Sequence, residues 1–292
     1  IQKIKLSKFK LLTKGVDYLN FDIIHTHQAY VNYYLLFKKS KKIIIQHYHA
    51  ASNRSQEINL KIMMKFYKKR ISEILCVSQK ALNHFKEING ECNAKVVYNG
   101  VDTNFYNPKL TKKFQTGSPQ LLFVSVLRHY KNTKLLVNAI PKLLKKYPKI
   151  NLQIVGAGED LKSLSGLVRK KKLENHVELT GRIDDDELKL RYASCDIFIS
   201  ASKNEHCPVP PFEAMSCGKP LVLSDLESHN EILKASNAGL IFTDIDDLCN
   251  KIELVYENPQ TYSENALKYA QKHDWANICE ELIKIYDKYQ KA

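Results

Sequence analysis

The hydrophobic positions of this chain alternate between short continuous runs and longer segments with helical periodicity. The short runs are rich in Ile, Leu and Val and have the length of strands. Four lie in the first hundred residues, in FDIIHTH, KKIIIQHY, EILCVS and KVVYNG, and six follow in LLFVSVL, INLQIVG, VELTG, CDIFISAS, KPLVLSD and GLIFT. Continuous apolar runs indicate strands that are covered on both faces. The pattern therefore predicts an α/β fold in which crossover helices connect the strands of parallel sheets.

Helices are predicted between these strands and at the end of the chain. The periodicity predicts helices over Thr133 to Lys146 and over Asp185 to Ala193, and Pro141 should kink or shorten the first of them. From Tyr262 onward, helical spacing predicts one or two packed helices, based on Leu267, Trp275, Ile278, Leu282 and Tyr286.

A polar segment with Pro and Gly, around residues 107 to 118, indicates a boundary between two domains, which the length of 292 residues allows. The predicted domains are residues 1–112 and residues 113–270. Residues 271–292 are predicted to form a helix that packs back toward the first domain. Residues 1–112 contain only four predicted strands, fewer than a doubly wound domain usually has, so the first domain is expected to be incomplete.

The net charge of +14 favours anionic partners such as nucleotides, nucleic acids or an acidic membrane surface. Nucleic acid is the minor option because the chain has no RNP pattern, zinc-finger spacing or leucine-zipper repeat. The seven cysteines are scattered without zinc spacing, which predicts reduced thiols and a cytoplasmic protein. The basic, helix-like stretch from Ile1 to Lys14 is a candidate for peripheral binding to the inner face of the cytoplasmic membrane, although a packed helix is the favoured interpretation.

Two glutamates, Glu205 and Glu213, lie in the segment SASKNEHCPVPPFEAMSCGKPLVLSD. A strand ends near Ser200, and a helix is predicted to begin at Pro211 or Phe212, which places Glu213 in its first turn. Unpaired amides at such a helix start bind phosphate oxygens, although a Glu there is often only a favourable helix-end charge. Glu205 follows the carboxyl end of a strand, where open α/β sheets bind ligands. The pair therefore indicates a ligand site.

The two carboxylates match the two diol edges of a nucleotide sugar, with the pyrophosphate lying between them. Transfer of the sugar leaves negative charge on the nucleoside diphosphate, and fixed cations stabilise that charge. Arg128 and Lys131, directly after the strand LLFVSVL, supply candidate cations. A glycosidase also uses two carboxylates but needs no phosphate site. The bare GxG of Gly156 and Gly158 lacks the third glycine of a dinucleotide fingerprint and argues against a dehydrogenase.

Paired histidines end two strands of the first domain, His25 with His27 and His47 with His49. Alternate residues of a strand share a face, so each pair brings two imidazoles together. A metal site lacks a supporting carboxylate cluster and is the less favoured interpretation. Histidines that face a cleft between the domains are favoured for function, and ordinary structural or exposed histidines remain an equal alternative for His25 and His49.

Taken in order, several segments resemble the retaining GT-B glycosyltransferases of the large family four. The segments are DIIHTH, EILCVSQKA, VVYNGVDTNFYNP, LLFVSVLRHYKNTKLLVNAI, IVGAGED, VELTGRIDDDEL and EHCPVPPFEAMSCGKPLV, and they cover almost the whole chain. The spacing of Glu205 and Glu213 reproduces the family's EX7E pair, followed by EAMxCGKP. The resemblance implies two Rossmann-like domains that face each other across a cleft.

The resemblance also implies a reaction and a set of site residues. A hexose passes from a nucleotide sugar, by default UDP-linked, to a polysaccharide, lipopolysaccharide or lipid-linked acceptor with retention of configuration. The leaving phosphate helps to take the acceptor proton in a front-face displacement that needs no metal or other cofactor. The implied catalytic residues are Glu205, His47 and Lys131, and the implied donor-binding residues are Glu213, Arg128, Lys131, Gly156, Gly181, Arg182, Ile183, Cys207, Pro208, Val209 and Phe212. Glu213 would hold the donor ribose, and Glu205 would lie beside the donor sugar.

The chain departs from the family pattern at two points. The family's basic residue in the loop after the first donor-domain strand corresponds to Val126, so Arg128 would act as a substitute. The family also begins with a strand and a glycine-rich loop for which no match is found, so about fifty to sixty residues are expected to be missing at the front. An inactive, glycosyltransferase-like binding module is therefore the alternative hypothesis.

Overall fold

The computed structural model describes residues 21–27, 43–50 and 54–290. The chain divides into two compact units. The first comprises Ile1–Tyr98 together with Ile278–Ala292, and the second comprises Asn99–Asn277. The stretch from Ile1 to Lys14, for which membrane contact is predicted, lies outside the described residues. Within the described part, no helix has the length and apolar character that crossing a bilayer requires.

The described residues of the first unit contain a parallel sheet of four strands, in the order β1-β2-β3-β4. The strands are β1 (Ile23–Thr26), β2 (Ile43–Tyr48), β3 (Glu73–Cys76) and β4 (Ala94–Val96), as the apolar runs predict. Two helices accompany them, α1 (Arg54–Tyr67) and α2 (Gln79–Asn89). Helix α2 begins after Ser78 because the Ser78 side chain accepts a hydrogen bond from the N–H of Ala81, at 3.0 Å.

The second unit contains a parallel sheet of six strands among its described residues. They are β5 (Gln120–Val124), β6 (Asn151–Val155), β7 (Val177–Gly181), β8 (Ile197–Ser200), β9 (Leu221–Ser224) and β10 (Gly239–Phe242). Their spatial order is β10-β9-β8-β5-β6-β7, so the first strand of the unit lies at the centre of the sheet. The helices are α3 (Thr133–Leu143), α4 (Leu161–Lys170), α5 (Asp185–Ser194), α6 (Pro210–Ser216), α7 (Glu227–Ser236), α8 (Ile245–Glu257) and α9 (Pro259–Lys272).

Helices cover both faces of this second sheet. Along β5, Leu121 and Phe123 belong to one hydrophobic cluster, whereas Leu122 between them belongs to another. Successive side chains of a strand point to opposite faces, so the two clusters lie on opposite sides of the sheet. The predicted doubly wound arrangement of this part of the chain is thereby confirmed.

Helix α3 is shorter than its hydrophobic period alone predicts, because Pro141 limits it. Pro141 has no N–H to donate to the preceding turn, and the α-helix ends at Leu143. The N–H of Leu144 still donates to the carbonyl of Ile140 at 2.9 Å, and the chain then turns toward β6. Helix α5 begins one residue after Asp184, whose side chain accepts from the N–H of Glu187 at 2.8 Å.

The compact units divide between Tyr98 and Asn99, earlier than the predicted boundary between residues 112 and 113. Val101 and Tyr106 explain the difference, because both are buried in a hydrophobic cluster of the second unit. Sequence polarity becomes continuous only after Tyr106, so the pattern places the boundary later than the division between the compact units. The N–H of Val101 also donates to the carbonyl of His273 at 2.9 Å, which joins this segment to the end of α9.

The last helix, α10 (Trp275–Gln290), returns the chain to the first unit from Ile278 onward. Its residues Ile278 and Ile285 pack with Ile45 and Leu75 of the first sheet. A buried carboxylate, Glu73 on β3, adds a polar connection. Its Oε2 accepts hydrogen bonds from the hydroxyl of Tyr289 at 2.7 Å and from Nζ of Lys288 at 3.2 Å, and its Oε1 pairs with Lys95. Burial opposes ionisation of Glu73, but these donors bring its pKa below the usual value.

Candidate active site

The loops after β5 and β8 leave the second sheet at neighbouring positions. Strand β5 pairs with β6 on one side and with β8 on the other, so the order of strands reverses at β5. In open parallel sheets, ligands bind outside the carboxyl ends of the strands at such a reversal. A backbone hydrogen bond from the N–H of Lys203 to the carbonyl of Tyr130, at 2.7 Å, connects the two loops directly.

An ion pair between Lys131 and Glu205 lies in these two loops. Nζ of Lys131 donates to Oε1 of Glu205, and the two side chains are only 13% and 14% exposed. A short 3₁₀ turn over His129–Lys131 orients the lysine, and the N–H of Lys131 donates to the carbonyl of Arg128 at 2.8 Å. The structure therefore brings two of the predicted catalytic residues together. The other predicted cation, Arg128, is exposed beside them.

Glu213 lies in the first turn of α6, as the sequence predicts, but its surroundings are not evident from the sequence. Its Oε2 accepts a hydrogen bond from the hydroxyl of Tyr192 at 2.6 Å, and Tyr192 is fully buried. The hydroxyl of Tyr106 also acts on this carboxylate. Burial raises the pKa of Glu213 above its usual value, and the hydroxyl groups of Tyr192 and Tyr106 oppose that shift. Sequence reasoning missed both tyrosines, because each resembles an ordinary core aromatic in its own segment.

The predicted binding of phosphate by amides at the start of α6 needs correction. Pro208, Pro210 and Pro211 have no N–H, and the N–H of Phe212 donates to the carbonyl of Val209 at 2.9 Å. The Phe212 side chain is fully buried beside Tyr269 and does not line the site. Among the described residues, the N–H groups of Cys207 and Val209 have no protein acceptor. Of the backbone amides that the sequence predicts to bind phosphate, only those of Cys207 and Val209 therefore remain available in this described loop.

The glycines Gly156 and Gly181 position a loop of the site through their backbones. Gly156 has a φ of +133°, and a Cβ on it would lie 1.8 Å from the carbonyl oxygen of Ser125. Its N–H donates to the carbonyl of Gly181 at 2.9 Å, and Gly181 has a φ of +71°. Only glycine permits this close approach. Gly156 thus supports the loop that contains Arg128 and Lys131, a role different from the donor contact predicted for it.

Arg182 and Ile183 follow Gly181 at the carboxyl end of β7. Arg182 is exposed, and Ile183 is half-buried in the cluster that also includes Val124 and Cys207. Their predicted contact with a nucleobase stays a prediction. The carbonyl of Cys207 accepts a hydrogen bond from Nδ2 of Asn99 at 3.2 Å, which holds the loop after β8 to the start of the second unit. Burial raises the pKa of the Cys207 thiol to about 11, so this thiol stays protonated at neutral pH.

The paired histidines of the first unit form one cluster of four rings. The ring centroids of His25 and His47 are 5.4 Å apart, those of His27 and His49 are 5.1 Å apart, and Nδ1 of His27 lies 2.8 Å from Nε2 of His49. Burial, together with the neighbouring histidines, lowers the pKa of His25 to about 4 and that of His47 to about 3. His47 is buried, and its predicted catalytic role stays a prediction.

All seven cysteines lie in the described part of the chain, and none forms a disulfide, in agreement with the predicted reduced thiols.

Comparison with known proteins then decides the family. The family model of the glycosyl transferases group 1 matches residues 109–273, and that of glycosyltransferase family 4 matches residues 3–105. The chain belongs to the group 1 glycosyltransferases.

Relatives and solved structures agree with this assignment. A glycosyltransferase of Methanocaldococcus jannaschii is 26% identical, over 98% of this chain and 80% of the relative. The phosphatidyl-myo-inositol mannosyltransferase of Mycolicibacterium smegmatis is 24% identical, over 92% of this chain and 71% of the relative. The structure of HepE from Anabaena in complex with UDP and glucose matches with a TM-score of 0.81 at 20% identity, over 98% of this chain and 84% of that chain. The predicted GT-B fold of this glycosyltransferase is confirmed.

Replacing Gly156 with alanine should disturb the site loop of the glycosyltransferase. Because the new Cβ would overlap the carbonyl of Ser125, we expect Gly156→Ala to destabilise the second unit by more than about 2 kcal/mol in urea unfolding. Gly166→Ala is the matched control, since Gly166 is exposed within α4 and has open space around its Cα. The control should gain about 0.5–1 kcal/mol in helix propensity. Equal stability of the two variants would contradict the positioning role of Gly156.

Proposed function

We propose that this chain transfers a hexose from a nucleotide sugar, UDP-linked, to a glycan or lipid-linked acceptor with retention of configuration. The observation that carries the proposal is the shielded ion pair of Lys131 and Glu205 at the strand reversal of the second unit, with Glu213 at the start of α6. The family assignment supports the reaction class, and the UDP and glucose bound in the HepE structure support the donor class.

Glu213 is suited to hold the hydroxyl groups of the donor ribose. Its carboxylate accepts from Tyr192 through Oε2, and a carboxylate has about four lone-pair positions, so acceptor capacity remains for a diol. The buried tyrosine fixes the carboxylate in one orientation before a ligand arrives. Such preorganisation reduces the entropy cost of binding.

The pair of Lys131 and Glu205 gives each residue a task during donor binding. In the structure, the two charges neutralise each other in a largely shielded position. A diphosphate entering the site carries more negative charge than one carboxylate and therefore attracts Lys131, with Arg128 exposed nearby to assist. Glu205 then accepts hydrogen bonds from hydroxyl groups of the sugar. The donor thus exchanges one ion pair for another, and neither charge is left buried alone.

The same residues favour departure of the nucleoside diphosphate. As the glycosidic bond breaks, negative charge grows on the leaving phosphate, and a fixed ammonium stabilises that charge more strongly in the transition state than in the ground state. The leaving phosphate oxygen lies on the face from which the acceptor attacks and takes the acceptor proton. That front-face path accounts for retention. The catalytic role of His47, which the resemblance implies, stays a prediction within this mechanism.

Replacing Glu205 with glutamine should separate donor binding from transfer. Because a glutamine side chain still accepts one hydrogen bond but no longer holds Lys131 in an ion pair, we expect Glu205→Gln to keep its affinity for UDP within about threefold. Turnover should fall by roughly tenfold to hundredfold, the effect of losing a hydrogen bond to a charged group. Turnover is measured as UDP release from UDP-glucose and UDP-N-acetylglucosamine and as GDP release from GDP-mannose. Calorimetry measures the affinity for UDP.

Glu174→Gln is the control for this experiment, because Glu174 is exposed outside the site. Unchanged turnover in Glu205→Gln would contradict the role of Glu205. UDP binding by the wild-type chain without turnover of any donor would instead support the inactive binding module. Proton NMR of the first product formed reports the anomeric configuration, and an inverted product would contradict retention.

We further propose that helix α1 attaches the enzyme to an anionic membrane, where a lipid-linked acceptor resides. Leu60, Met63 and Met64 of this helix are buried, whereas the opposite side exposes Ile58, Ile62 and Phe66 by 51%, 45% and 67%. These three follow one another at spacings of four residues and form a stripe along the helix. Exposed lysines accompany the stripe, at positions Lys61, Lys65, Lys68 and Lys69. An apolar stripe with flanking lysines suits a helix that lies among acidic headgroups.

Serine at all three stripe positions should weaken vesicle binding. Because each substitution removes apolar area that would enter the headgroup region, we expect the Ile58→Ser, Ile62→Ser, Phe66→Ser variant to bind phosphatidylglycerol vesicles more than about tenfold less tightly in flotation. A Leu254→Ser, Ile283→Ser variant is the control, since both side chains are about half exposed on other helices. Equal flotation of the wild type and the stripe variant would contradict membrane binding by this surface. Equal binding of the wild type to phosphatidylcholine and phosphatidylglycerol vesicles would contradict its preference for an anionic membrane.

A further inference from the structure

The strand register brings four histidines of the first unit to one face of its sheet. Strands β1 and β2 are parallel, and His25 pairs with Ile45, so the side chains of His25, His27 and His47 point to the same side. His49 continues that alternation directly after β2. All four imidazoles lie at the carboxyl ends of the two strands, in ring contact with one another.

The nitrogen atoms of this cluster lie close enough to share an ion. One ligand nitrogen each from His25, His27 and His47 lies within 4.8 Å of the other two. Zn²⁺ binds imidazole nitrogen at about 2.0–2.1 Å, so tetrahedral ligands lie about 3.4 Å apart. Small side-chain rotations would bring the three nitrogens from their present separation to the spacing of tetrahedral ligands. Nδ1 of His27 and Nε2 of His49, at 2.8 Å, already approach closer than that spacing.

A hydrogen bond outside the cluster determines which ring nitrogen of His47 carries the proton. Nε2 of His47 lies 3.2 Å from the carbonyl of Val97, and because a carbonyl only accepts, this nitrogen carries the proton. The other nitrogen, Nδ1 of His47, therefore has a lone pair, and it is buried without a hydrogen-bond partner. A backbone carbonyl is one of the usual outer partners of a histidine that binds a metal.

His25, like His47, has one ring nitrogen in a hydrogen bond and the other without a partner, but its hydrogen bond is to a side chain. Its Nδ1 lies 2.6 Å from the hydroxyl of Tyr286, and its Nε2 is buried without a hydrogen-bond partner. If Nδ1 donates to the tyrosine oxygen, Nε2 has a lone pair for a metal. Two buried nitrogens without partners in one cluster are costly for a protein, and an ion that both of them ligate removes that cost.

We propose that His25, His27 and His47, with His49 beside them, bind one divalent transition-metal ion of the zinc class. The group offers imidazole nitrogens and no carboxylate, which suits Zn²⁺, Co²⁺, Ni²⁺ or Cu²⁺ and excludes a Mg²⁺ or Ca²⁺ site. The ion would occupy a nitrogen of His47. One consequence rests on the proposed function: if His47 acts in transfer, the bound metal would inhibit that transfer.

Metal titration of the untagged, full chain tests the site without relying on activity. Zn²⁺ is titrated by calorimetry and by competition with a chromogenic chelator, and Co²⁺ is titrated by visible absorption, where tetrahedral coordination gives intense bands. The variants are His27→Gln, whose side chain is exposed, and His47→Gln, whose side chain is buried. His176→Gln is the matched control, because His176 lies in the second unit. A Cys279→Ser background removes the exposed thiol as a competing ligand.

We expect one Zn²⁺ per chain, with affinity reduced at least about tenfold in His27→Gln and in His47→Gln and unchanged in His176→Gln. Circular dichroism and thermal melting establish that the His27→Gln variant is folded. Absence of saturable binding, or equal affinity in the wild type and both cluster variants, would overturn the site. The Glu205→Gln variant should bind Zn²⁺ as the wild type does, so failure of the metal site and failure of the proposed transfer give different results.

Discussion

The shielded ion pair between Lys131 and Glu205 is the interaction on which the site of the second unit depends. A lysine and a glutamate that are each about seven-eighths covered lose most of their hydration, so each charge is stabilised by the other. The fold enforces their meeting, because β5 and β8 are adjacent and the N–H of Lys203 is bound to the carbonyl of Tyr130. Gly156 adds the close backbone contact that fixes the lysine loop. In the proposed mechanism, a ligand with a diphosphate and a sugar would relieve the same constraint by offering each charge a new partner.

Glu213 differs from Glu205 in that neutral hydroxyl groups, and not a cation, stabilise its carboxylate. Tyr192 belongs to α5, and Tyr106 belongs to the segment that opens the second unit, so the carboxylate joins distant parts of the chain. The hydroxyl of Ser216, also in α6, donates to the carbonyl of Tyr106 and strengthens that connection. Core packing and the orientation of the Glu213 carboxylate are thereby coupled. This explains why residues 99–112 belong structurally to the second unit although their sequence is partly polar.

Much of the fold was predictable because buried parallel strands have a strong local signature. Runs such as IFIS of β8 are apolar over most of their length and buried at every position. The positions of Glu205, Glu213 and Lys131 follow from those strands, because loops at carboxyl ends converge. The hydrogen bonds of Tyr192 and the cluster of His25, His27 and His47 depend on packing and strand register, which no single segment encodes. Local sequence also suggested available amides at α6, but three prolines and the Phe212 bond to Val209 remove most of them.

Calorimetric titration of UDP into the wild-type chain and into Glu213→Gln is a direct test of the proposed nucleotide-sugar site. Glutamine keeps the shape of the side chain and can still accept from Tyr192, so the fold should survive. We expect one UDP per wild-type chain, with affinity lower by roughly tenfold to hundredfold in Glu213→Gln, because a charge-assisted hydrogen bond to the ribose is lost. Absence of saturable UDP binding to the wild type, or equal affinity in both proteins, would contradict a nucleotide-sugar site built around Glu213.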